Sequence, residues 1–336
     1  MWSLGADNSP IDARNKAIAA SVETQILDPD ADGIDRAADF LRNGDLVAFG
    51  TETVYGLGAD ARNGQAVAQI YAVKGRPSFN PLIVHVADAA HVDELIDIPE
   101  DIRALTQFWP GPLTLVAPMR SGAGIASLVT AGLPTLAVRV PENVGARALL
   151  RAFGGPVAAP SANTSGRISP STADHVRNDL GGRIAAILDT GPCDVGLEST
   201  IVGPGPEGPV LLRPGGVSEE DLAVVLGRPL ASKTNSTINA PGQLASHYAP
   251  DVPLVMNVTE PDGRAVHIGF GGGDGAFNLS PARELGEAAA NLFAVLHLAN
   301  DRACMCGEAI TVAPIPDHGL GQAINDRLRR AAAERG

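Results

Sequence analysis

Cationic and amide side chains that could bind phosphates stand close together early in the chain. Lys74 and Arg76 are two residues apart at the end of a helix-like segment, and Asn80 follows before an apolar run that ends in His85. A planar guanidinium and a compact ammonium can together hold phosphate oxygens. Cations at a helix C-terminus also interact favourably with the helix dipole, so this segment alone leaves both interpretations open.

Other polar segments lie where strand-like runs end. Residues 51–58 combine hydroxyls, one carboxylate and two glycines, which allow a ligand to approach closely, although this segment alone could be an ordinary turn. Ser161 and Asn163, two apart on an extended segment, face the same side. Residues 198–200 and 212–216 place further polar groups at strand ends. Because ligand sites in open α/β sheets gather there, these segments are candidates for one site.

The elements that must position these residues alternate between short apolar runs and helical periods. Apolar runs predict strands at 46–49, 81–86, 113–117, 135–140, 157–159, 184–188, 200–202, 210–212, 265–270 and 310–313. Helical spacing and helix-start signals predict helices at 66–73, at 101–108, from Pro141 onward, at 281–299 and at 321–332. This alternation predicts an α/β fold with a mixed sheet.

The length of 336 residues exceeds one typical domain. We predict a disordered lead of about twenty residues, then a catalytic domain over residues 24–230. Residues 231–252 are polar and turn-rich and are predicted to form an ordered linker. A small α/β domain over residues 253–336 completes the predicted organisation.

Composition and charge exclude several classes of protein. No stretch reaches the roughly 18 apolar residues of a membrane-spanning helix, and the first residues lack the basic-then-apolar order of a signal peptide. A cytoplasmic location is therefore expected. The net charge of −13 argues against a broad nucleic-acid-binding face but leaves room for a small basic pocket. No zinc-like spacing involves the cysteines, which we interpret as structural: Cys193, Cys304 and Cys306.

Common catalytic designs find little support in the sequence. No Gly-x4-Gly-Lys-Ser/Thr phosphate loop and no Gly-x-Ser-x-Gly elbow occurs. Gly271, Gly273 and Ala276 match a dinucleotide fingerprint only loosely, because the acids Glu284 and Glu287 come too early after it. Nothing indicates covalent catalysis or a metal site formed by the protein.

Several segments, in order along the chain, resemble the threonylcarbamoyl-adenylate synthase family. They are residues 51–58, 74–85, 108–114, 160–166 and 212–216. Further resemblance to the long, two-domain form of the family is carried by residues 239–250 and 321–331. The resemblance implies a large mixed twisted sheet with helices and an open cleft, followed by a small Rossmann-like α/β C-terminal domain.

The resemblance also implies an activity and its partners. The enzyme would be a nucleotidyltransferase that joins L-threonine, bicarbonate or CO₂, and ATP into threonylcarbamoyl-AMP and pyrophosphate. Mg²⁺ would arrive with ATP rather than at a fixed protein site. A tRNA threonylcarbamoyl-transferase machinery would then use the product to modify adenosine-37 of ANN-decoding tRNAs. No membrane contact and no strong direct nucleic-acid binding is expected.

The family's site residues carry over by position. The resemblance implies that L-threonine is surrounded by Thr53, His85, Arg139, Ser161 and Ser199. It implies that ATP is held by Arg76, Asn80, Thr135, Asn163, Ser171 and Arg213, with closure over the nucleotide by His247 or Tyr248. Lys74 and Arg76 are the predicted catalytic residues near the phosphates. Gly50 stands where the family usually has Pro, which predicts a softer entry loop and bears on affinity.

Two other functions stay open at this point. A nucleic-acid-binding module would capture tRNA or double-stranded RNA through a cationic cleft, but the charge of −13 and the missing basic stripe count against it. A related carbamoyl-transfer domain would act on a different acceptor. Such domains usually sit in larger chains with zinc-finger or acylphosphatase-like parts, which no segment here resembles.

Overall fold

The larger of the two sheets has ten strands, with parallel and antiparallel pairs. The computed structural model describes residues 23–231, 247–261, 263–272 and 277–333. The sheet strands are β1 (Gln25–Leu27), β2 (Val47–Phe49), β3 (Gly56–Asp60), β4 (Ile83–His85), β5 (Leu113–Pro118), β6 (Thr135–Arg139), β7 (Val157–Ala158), β8 (Ala186–Leu188), β9 (Thr200–Gly203) and β10 (Val210–Arg213). Their order is β1-β8-β2-β3-β7-β4-β6-β5-β9-β10. The predicted α/β class with a large mixed sheet is confirmed.

Helices cover both faces of this sheet. They are α1 (Ala31–Arg42), α2 (Gly64–Lys74), α3 (Glu100–Arg103), α4 (Ser127–Thr130), α5 (Val144–Phe153), α6 (Ala173–Leu180) and α7 (Glu219–Leu226), with 3₁₀ turns at Ala89–His91 and Ala104–Phe108. Buried residues of α1 and α5 pack with β2 and β8 in one core, whereas those of α2 and α6 belong to another. The sheet is thus buried between two apolar layers.

Local signals at α2 place the predicted phosphate clamp. Asn63 caps the start of the helix, and its side chain accepts hydrogen bonds from the N–H groups of Gln65 and Ala66. The helix ends at Gly75, which has a φ of 61°, a conformation that glycine adopts without a steric penalty. The chain therefore turns sharply between Lys74, the last helical residue, and Arg76, and these two cations leave the helix in different directions.

The C-terminal domain is a three-stranded parallel sheet packed against two helices. The strands are β11 (Leu254–Val255), β12 (Ala265–Ile268) and β13 (Ala309–Val312), in the order β11-β13-β12, and the helices are α8 (Leu285–Cys306) and α9 (Leu320–Ala332). The β12–α8–β13 segment is a parallel strand–helix–strand unit. Its closer likeness to a Rossmann domain stays a prediction.

The two parts of the chain share a core. Val54, Ile168 and Leu197 of the catalytic part lie in the same buried cluster as the apolar residues of α8, α9 and the C-terminal sheet. Gly196 lies against the α8 backbone so closely that an added Cβ would be 2.5 Å from the carbonyl oxygen of Ala289. The C-terminal domain is therefore packed firmly against the catalytic part of the chain.

Several predicted boundaries were wrong. Residues 56–58 belong to strand β3 rather than to a loop, and the helix predicted from Pro141 begins at Val144 because Asn143 provides the side-chain cap. The helix predicted at 281–299 runs from Leu285 to Cys306. The sequence prediction did not include β1, α1, α4, α6, α7 or β11.

Two predicted segments fall largely outside the described residues. They are the disordered lead and most of the linker at 231–252, so the domain boundaries stay predictions. Within the described residues, no helix combines the length and apolar character that crossing a membrane requires.

We predict that Gly196→Ala lowers the free energy of unfolding more than Gly227→Ala. Both glycines have positive φ values, 68° and 65°, so both variants pay about 1–2 kcal/mol for the left-handed conformation. Gly227 has no atom within 4 Å of the added Cβ, whereas Gly196 would meet the α8 backbone. Overpacking should cost Gly196→Ala a further 1–3 kcal/mol, roughly. Urea denaturation measures both variants, and equal losses would contradict the close packing of α8.

Candidate functional site

A cavity of about 50 Å³ lies where several strands of the large sheet end. Every residue predicted for L-threonine lines it: Thr53, His85, Arg139, Ser161 and Ser199. From the set predicted for ATP, the lining residues are Arg76, Arg213, His247 and Tyr248. The structure thus brings residues from distant segments, 53 to 248, into one site.

Arg139, at the end of β6, is fixed by acceptors on three sides. Its Nη1 donates to Thr53 Oγ1 at 2.8 Å, and its Nε donates to the Gly111 carbonyl at 3.2 Å. Its Nη2 pairs with Glu52 Oε1, and both side chains are only 4% exposed. The other Glu52 oxygen accepts from the backbone N–H of Glu142 at 3.0 Å, just before α5. Glu52 therefore neutralises and orients Arg139.

The sequence prediction did not assign a role to Glu52. A signal was present, because Glu52 is the single carboxylate in the polar segment 51–58. Its partner Arg139, however, is 87 residues away in sequence. No local pattern connects two residues at that separation.

His85 is a neutral, buried imidazole beside this pair. It ends β4 and lies opposite Arg139 in the parallel register of β4 and β6. Burial, together with the nearby Arg139 charge, lowers the pKa of His85 to about 3. Its Nδ1 atom has no hydrogen-bond partner among the described residues. At neutral pH this ring can accept or donate one hydrogen bond at each nitrogen, according to its tautomer.

Arg76 and Arg213 add positive charge to the wall of the cavity. Arg76 donates to the carbonyls of Asn80 at 3.2 Å and Pro81 at 2.8 Å, and Arg213 donates to the Ser199 carbonyl at 2.8 Å. Burial lowers the pKa of each guanidinium to about 10, so both stay charged at neutral pH. Backbone carbonyls thus hold both arginines in place without cancelling their charge, and the wall can attract an anion.

Hydroxyl groups line the cavity between these charges. Ser199 Oγ lies 2.7 Å from Thr114 Oγ1 and accepts from Arg213 Nη2 at 3.2 Å. Thr53 Oγ1 lies 2.8 Å from Thr51 Oγ1. Ser199 and Thr53 therefore belong to ordered networks that fix their orientation.

Tyr248 closes the cavity on the side of the C-terminal domain. Its ring stacks on Phe293 of α8 at a centroid distance of 5.5 Å, and the Arg327 guanidinium lies 5.6 Å from the ring centroid. Its backbone φ of 63° is unusual for a residue with a side chain. Burial raises the pKa of Tyr248 to about 12. Next to it, His247 is also buried, which lowers its pKa to about 3.

Some predicted site residues do not line the cavity. The Lys74 ammonium donates to the carbonyls of Ser161, at 2.5 Å, and Asn163. The Asn163 side chain donates to the carbonyl of Arg167 at 2.9 Å. Both residues therefore hold the loop that carries Ser161. Burial lowers the pKa of Lys74.

The remaining members of the ATP set lie apart from the cavity wall. Thr135 begins β6, whereas Arg139 ends it, so the two are about 13 Å apart along the strand. Ser171 Oγ is 3.4 Å from His175 Nδ1. Asn80 is fully buried, and neither polar atom of its amide has a partner among the described residues. Because a buried amide without partners is costly, Asn80 is the strongest of these for a ligand contact.

Gly50 allows a close contact in this chain. An added Cβ would lie 2.1 Å from Thr190 Oγ1 and 2.9 Å from Tyr55 Cζ. The Tyr55 hydroxyl in turn donates to Asp189 Oδ1 at 2.9 Å. The missing side chain at residue 50 thus makes room for Tyr55 and Thr190, which support the segment before Glu52. Its effect on the softness of the loop stays a prediction.

No described residues form a ready metal site. Groups of three or more His, Cys, Asp or Glu side chains placed to hold an ion are absent from the parts of the chain that the structure describes. Glu198, which lines the cavity, and Glu52, which contacts Arg139, are each paired with a buried arginine.

Comparisons with known proteins identify relatives of nearly the full chain. A family model described as telomere recombination matches residues 39–215, and the model of the threonylcarbamoyl-AMP synthase C-terminal domain matches residues 217–333. A threonylcarbamoyl-AMP synthase of Bacillus subtilis is 42% identical, covering 90% of this chain and 93% of its own. One of Pyrococcus abyssi is 40% identical, covering 89% and 94%. The crystal structure of P. abyssi Sua5 complexed with L-threonine aligns with a TM-score of 0.82 at 37% identity, covering 92% of this chain and 98% of that one.

We predict that Glu52→Gln destabilises the protein by about 3–5 kcal/mol, because Arg139 is then left buried without its counter-charge. Glu142→Gln is the matched control, since the Glu142 side chain is exposed and only its backbone N–H contacts Glu52. The control should change the free energy of unfolding by less than about 0.5 kcal/mol. Urea titration followed by circular dichroism measures both. If the Glu52 variant were as stable as the control, the Arg139–Glu52 ion pair would not stabilise the fold as predicted.

Proposed function

The chain belongs to the threonylcarbamoyl-AMP synthase family, and on that premise we propose that it joins L-threonine, bicarbonate or CO₂, and ATP into threonylcarbamoyl-AMP with release of pyrophosphate. This makes it a nucleotidyltransferase, since AMP moves from ATP to a carbamate oxygen. The observation that carries the proposal is the single cavity in which Arg139, His85 and the hydroxyls face Arg76 and Arg213. One end suits an amino acid and the other suits phosphates.

The amino-acid end can recognise each polar group of threonine. Arg139, already oriented by Glu52, offers guanidinium donors to the substrate carboxylate. His85 stays neutral because of burial and can accept a hydrogen bond from the substrate amine. In the proposal, the hydroxyls of Thr53, Ser161 and Ser199, which line the same cavity, form hydrogen bonds with the substrate hydroxyl. The amine is the group that must react, so a site that keeps His85 uncharged also avoids repelling it.

The nucleotide end stabilises negative charge. In our proposal Arg76 and Arg213 face the charge that builds on the α-phosphate and on departing pyrophosphate. Asn80, with its amide unpartnered, supplies a further nucleotide contact. Lys74 acts indirectly, because its ammonium holds the carbonyls of Ser161 and Asn163. Thr135 and Ser171 do not line the cavity, and their contacts with ATP stay predictions.

The reaction proceeds by positioning and electrostatics. The threonine amine attacks the carbon of CO₂ and loses a proton, which gives a carbamate. A carbamate oxygen then attacks the α-phosphorus, and the bond to pyrophosphate breaks. Mg²⁺ would enter the site bound to ATP, since Mg²⁺ commonly binds through substrate phosphates.

The cavity must open to admit these substrates. Its volume of about 50 Å³ is far below the roughly 300–1,000 Å³ of clefts that hold small ligands. His247 and Tyr248 form the wall on the side of the predicted linker, so we propose that this wall moves aside and then closes as a lid. Closure would retain an adenylate that water otherwise hydrolyses.

The product would pass to a tRNA threonylcarbamoyl-transferase machinery, in keeping with a cytoplasmic location. Direct capture of tRNA by this chain has less support, because the net charge is −13. In the proposal, the cationic groups at the cavity serve ATP rather than a nucleic-acid backbone.

We predict that Arg76→Ala lowers the rate of adenylate formation by about tenfold to a thousandfold, each factor of ten being about 1.4 kcal/mol of transition-state stabilisation. Arg36→Ala, which removes a half-exposed arginine of α1, is the control and should keep normal activity. Pyrophosphate release with ATP, bicarbonate and L-threonine measures both variants. Normal turnover by a correctly folded Arg76 variant would refute its role.

We also predict the order of amino-acid substrates. Serine lacks only the methyl group, so discrimination against it should be modest, on the order of 1–3 kcal/mol. Valine should react near background, since it would leave the hydroxyl partners in the cavity unpaired. Pyrophosphate release is measured with each amino acid in the absence of tRNA. Equal turnover of valine would reject the hydroxyl-reading site, and no turnover of threonine would reject the synthase activity.

A further inference from the structure

Arg327 of helix α9 is a fully buried charge that reaches out of the C-terminal domain. Its side chain has 0% exposure, and its Nε donates to Glu198 Oε2 at 2.9 Å. Its Nη1 donates to the Pro214 carbonyl at 2.7 Å and lies 3.0 Å from Asp326 Oδ2. Both Glu198 and Pro214 belong to the catalytic part of the chain, so this one guanidinium crosses between the domains.

The two acceptors flank the residues that line the cavity. Glu198 immediately precedes Ser199 at the start of β9, and Pro214 immediately follows Arg213 at the end of β10. The two strands are antiparallel, so the start of β9 and the end of β10 lie next to each other at the same end of the strand pair. A single rigid fork between Glu198 and Pro214 therefore fixes the two chain segments that present Ser199 and Arg213.

The same guanidinium also contacts Tyr248, another residue that lines the cavity. It lies 5.6 Å from the centre of the Tyr248 ring, within the range of a cation–π contact. A cation–π interaction is stronger when both groups are shielded from water, and Arg327 and Tyr248 are both buried. Ser199, Arg213 and Tyr248 are thus all placed with reference to one side chain of α9.

We propose that Arg327 is a positioning residue for adenylation, through which the C-terminal domain sets the geometry of Ser199, Arg213 and Tyr248. This rests on the proposed function, because the residues it positions are those assigned to L-threonine and ATP. The C-terminal domain then belongs to the active site itself, through a charge that never touches the substrate.

The environment of Glu198 makes this role measurable. Burial alone would raise the pKa of Glu198, but Arg327 and Arg213, with a hydrogen bond from Ser169, lower it to about 2. His247 and Tyr248 are the other titratable groups that face it. With Arg327 replaced by an uncharged residue, burial should dominate and the pKa of Glu198 should rise. Glu198 would then take up a proton as the pH falls through that raised pKa.

The test compares Arg327→Met with Arg329→Met, which removes an exposed arginine two residues further along α9. Pyrophosphate release with ATP, bicarbonate and L-threonine should show kcat/KM at least tenfold lower in Arg327→Met and unchanged in Arg329→Met. Arg327→Lys should recover part of the loss, because an ammonium can pair with Glu198 but lacks the fork that also reaches Pro214. Equal kcat/KM in the Arg327 and Arg329 variants would overturn the proposal.

The pH profile separates positioning from general destabilisation. In Arg327→Met, kcat/KM should fall as the pH is lowered across a range in which the wild type is constant. The added substitution Glu198→Gln should abolish that acid limb, since no carboxyl is then left to titrate. An unchanged limb in the double variant would overturn the proposal. If Arg327→Met does not fold, Arg327→Lys takes its place in the rate comparison, and full wild-type kcat/KM in it would overturn the proposal.

Backbone hydrogen exchange tests the positioning role of Arg327 without relying on the proposed reaction. Absence of pyrophosphate release from the wild type would reject the proposed function. In that case the backbone amides of β9, β10, Tyr248 and Ala249 should still exchange faster in Arg327→Met than in Arg329→Met. If Arg327→Met does not fold, Arg327→Lys is compared with Arg329→Met instead. Equal exchange in these segments would overturn the positioning role.

Discussion

The pairing of buried arginines governs the architecture of this site. A guanidinium removed from water needs a counter-charge or well-placed carbonyl acceptors. Arg139 takes Glu52, Arg327 takes Glu198, and Arg76 takes two carbonyls. Because these partners offset much of the cost of burying a guanidinium, positive charge can be kept at a small cavity, where it interacts with phosphate or carboxylate more strongly than it would in water.

Each pair also links elements that are distant in the chain. Glu52 joins the loop after β2 to the end of β6 and, through the Glu142 N–H, to the start of α5. Glu198 joins β9 to helix α9. The same ion pairs therefore neutralise buried charges and hold the strand ends in place relative to one another. Loss of one carboxylate would loosen the site and leave a charge unpaired at the same time.

The interface between the domains depends on close apolar packing. Gly196 lets α8 approach the segment before Glu198, and Val54 and Leu197 share an apolar core with α8 and α9. With that contact in place, Arg327 and Tyr248 lie beside the cavity rather than in solvent. Apolar packing therefore brings the second domain close enough for the buried charge of Arg327 to act on strands β9 and β10.

The sequence by itself determined the α/β class and most of the strands, and it predicted a set of residues that the structure brings to one cavity. Those features depend on local periodicity and on motif residues such as Thr53, Arg139 and Ser199, which stand at strand ends. Only the tertiary structure decided that Lys74 holds backbone carbonyls, that Thr135 lies at the far end of β6, and that Arg327 pairs with Glu198 across 129 positions. The physical reason is that the partner of a buried charge is set by distance in space, on which sequence spacing places almost no limit.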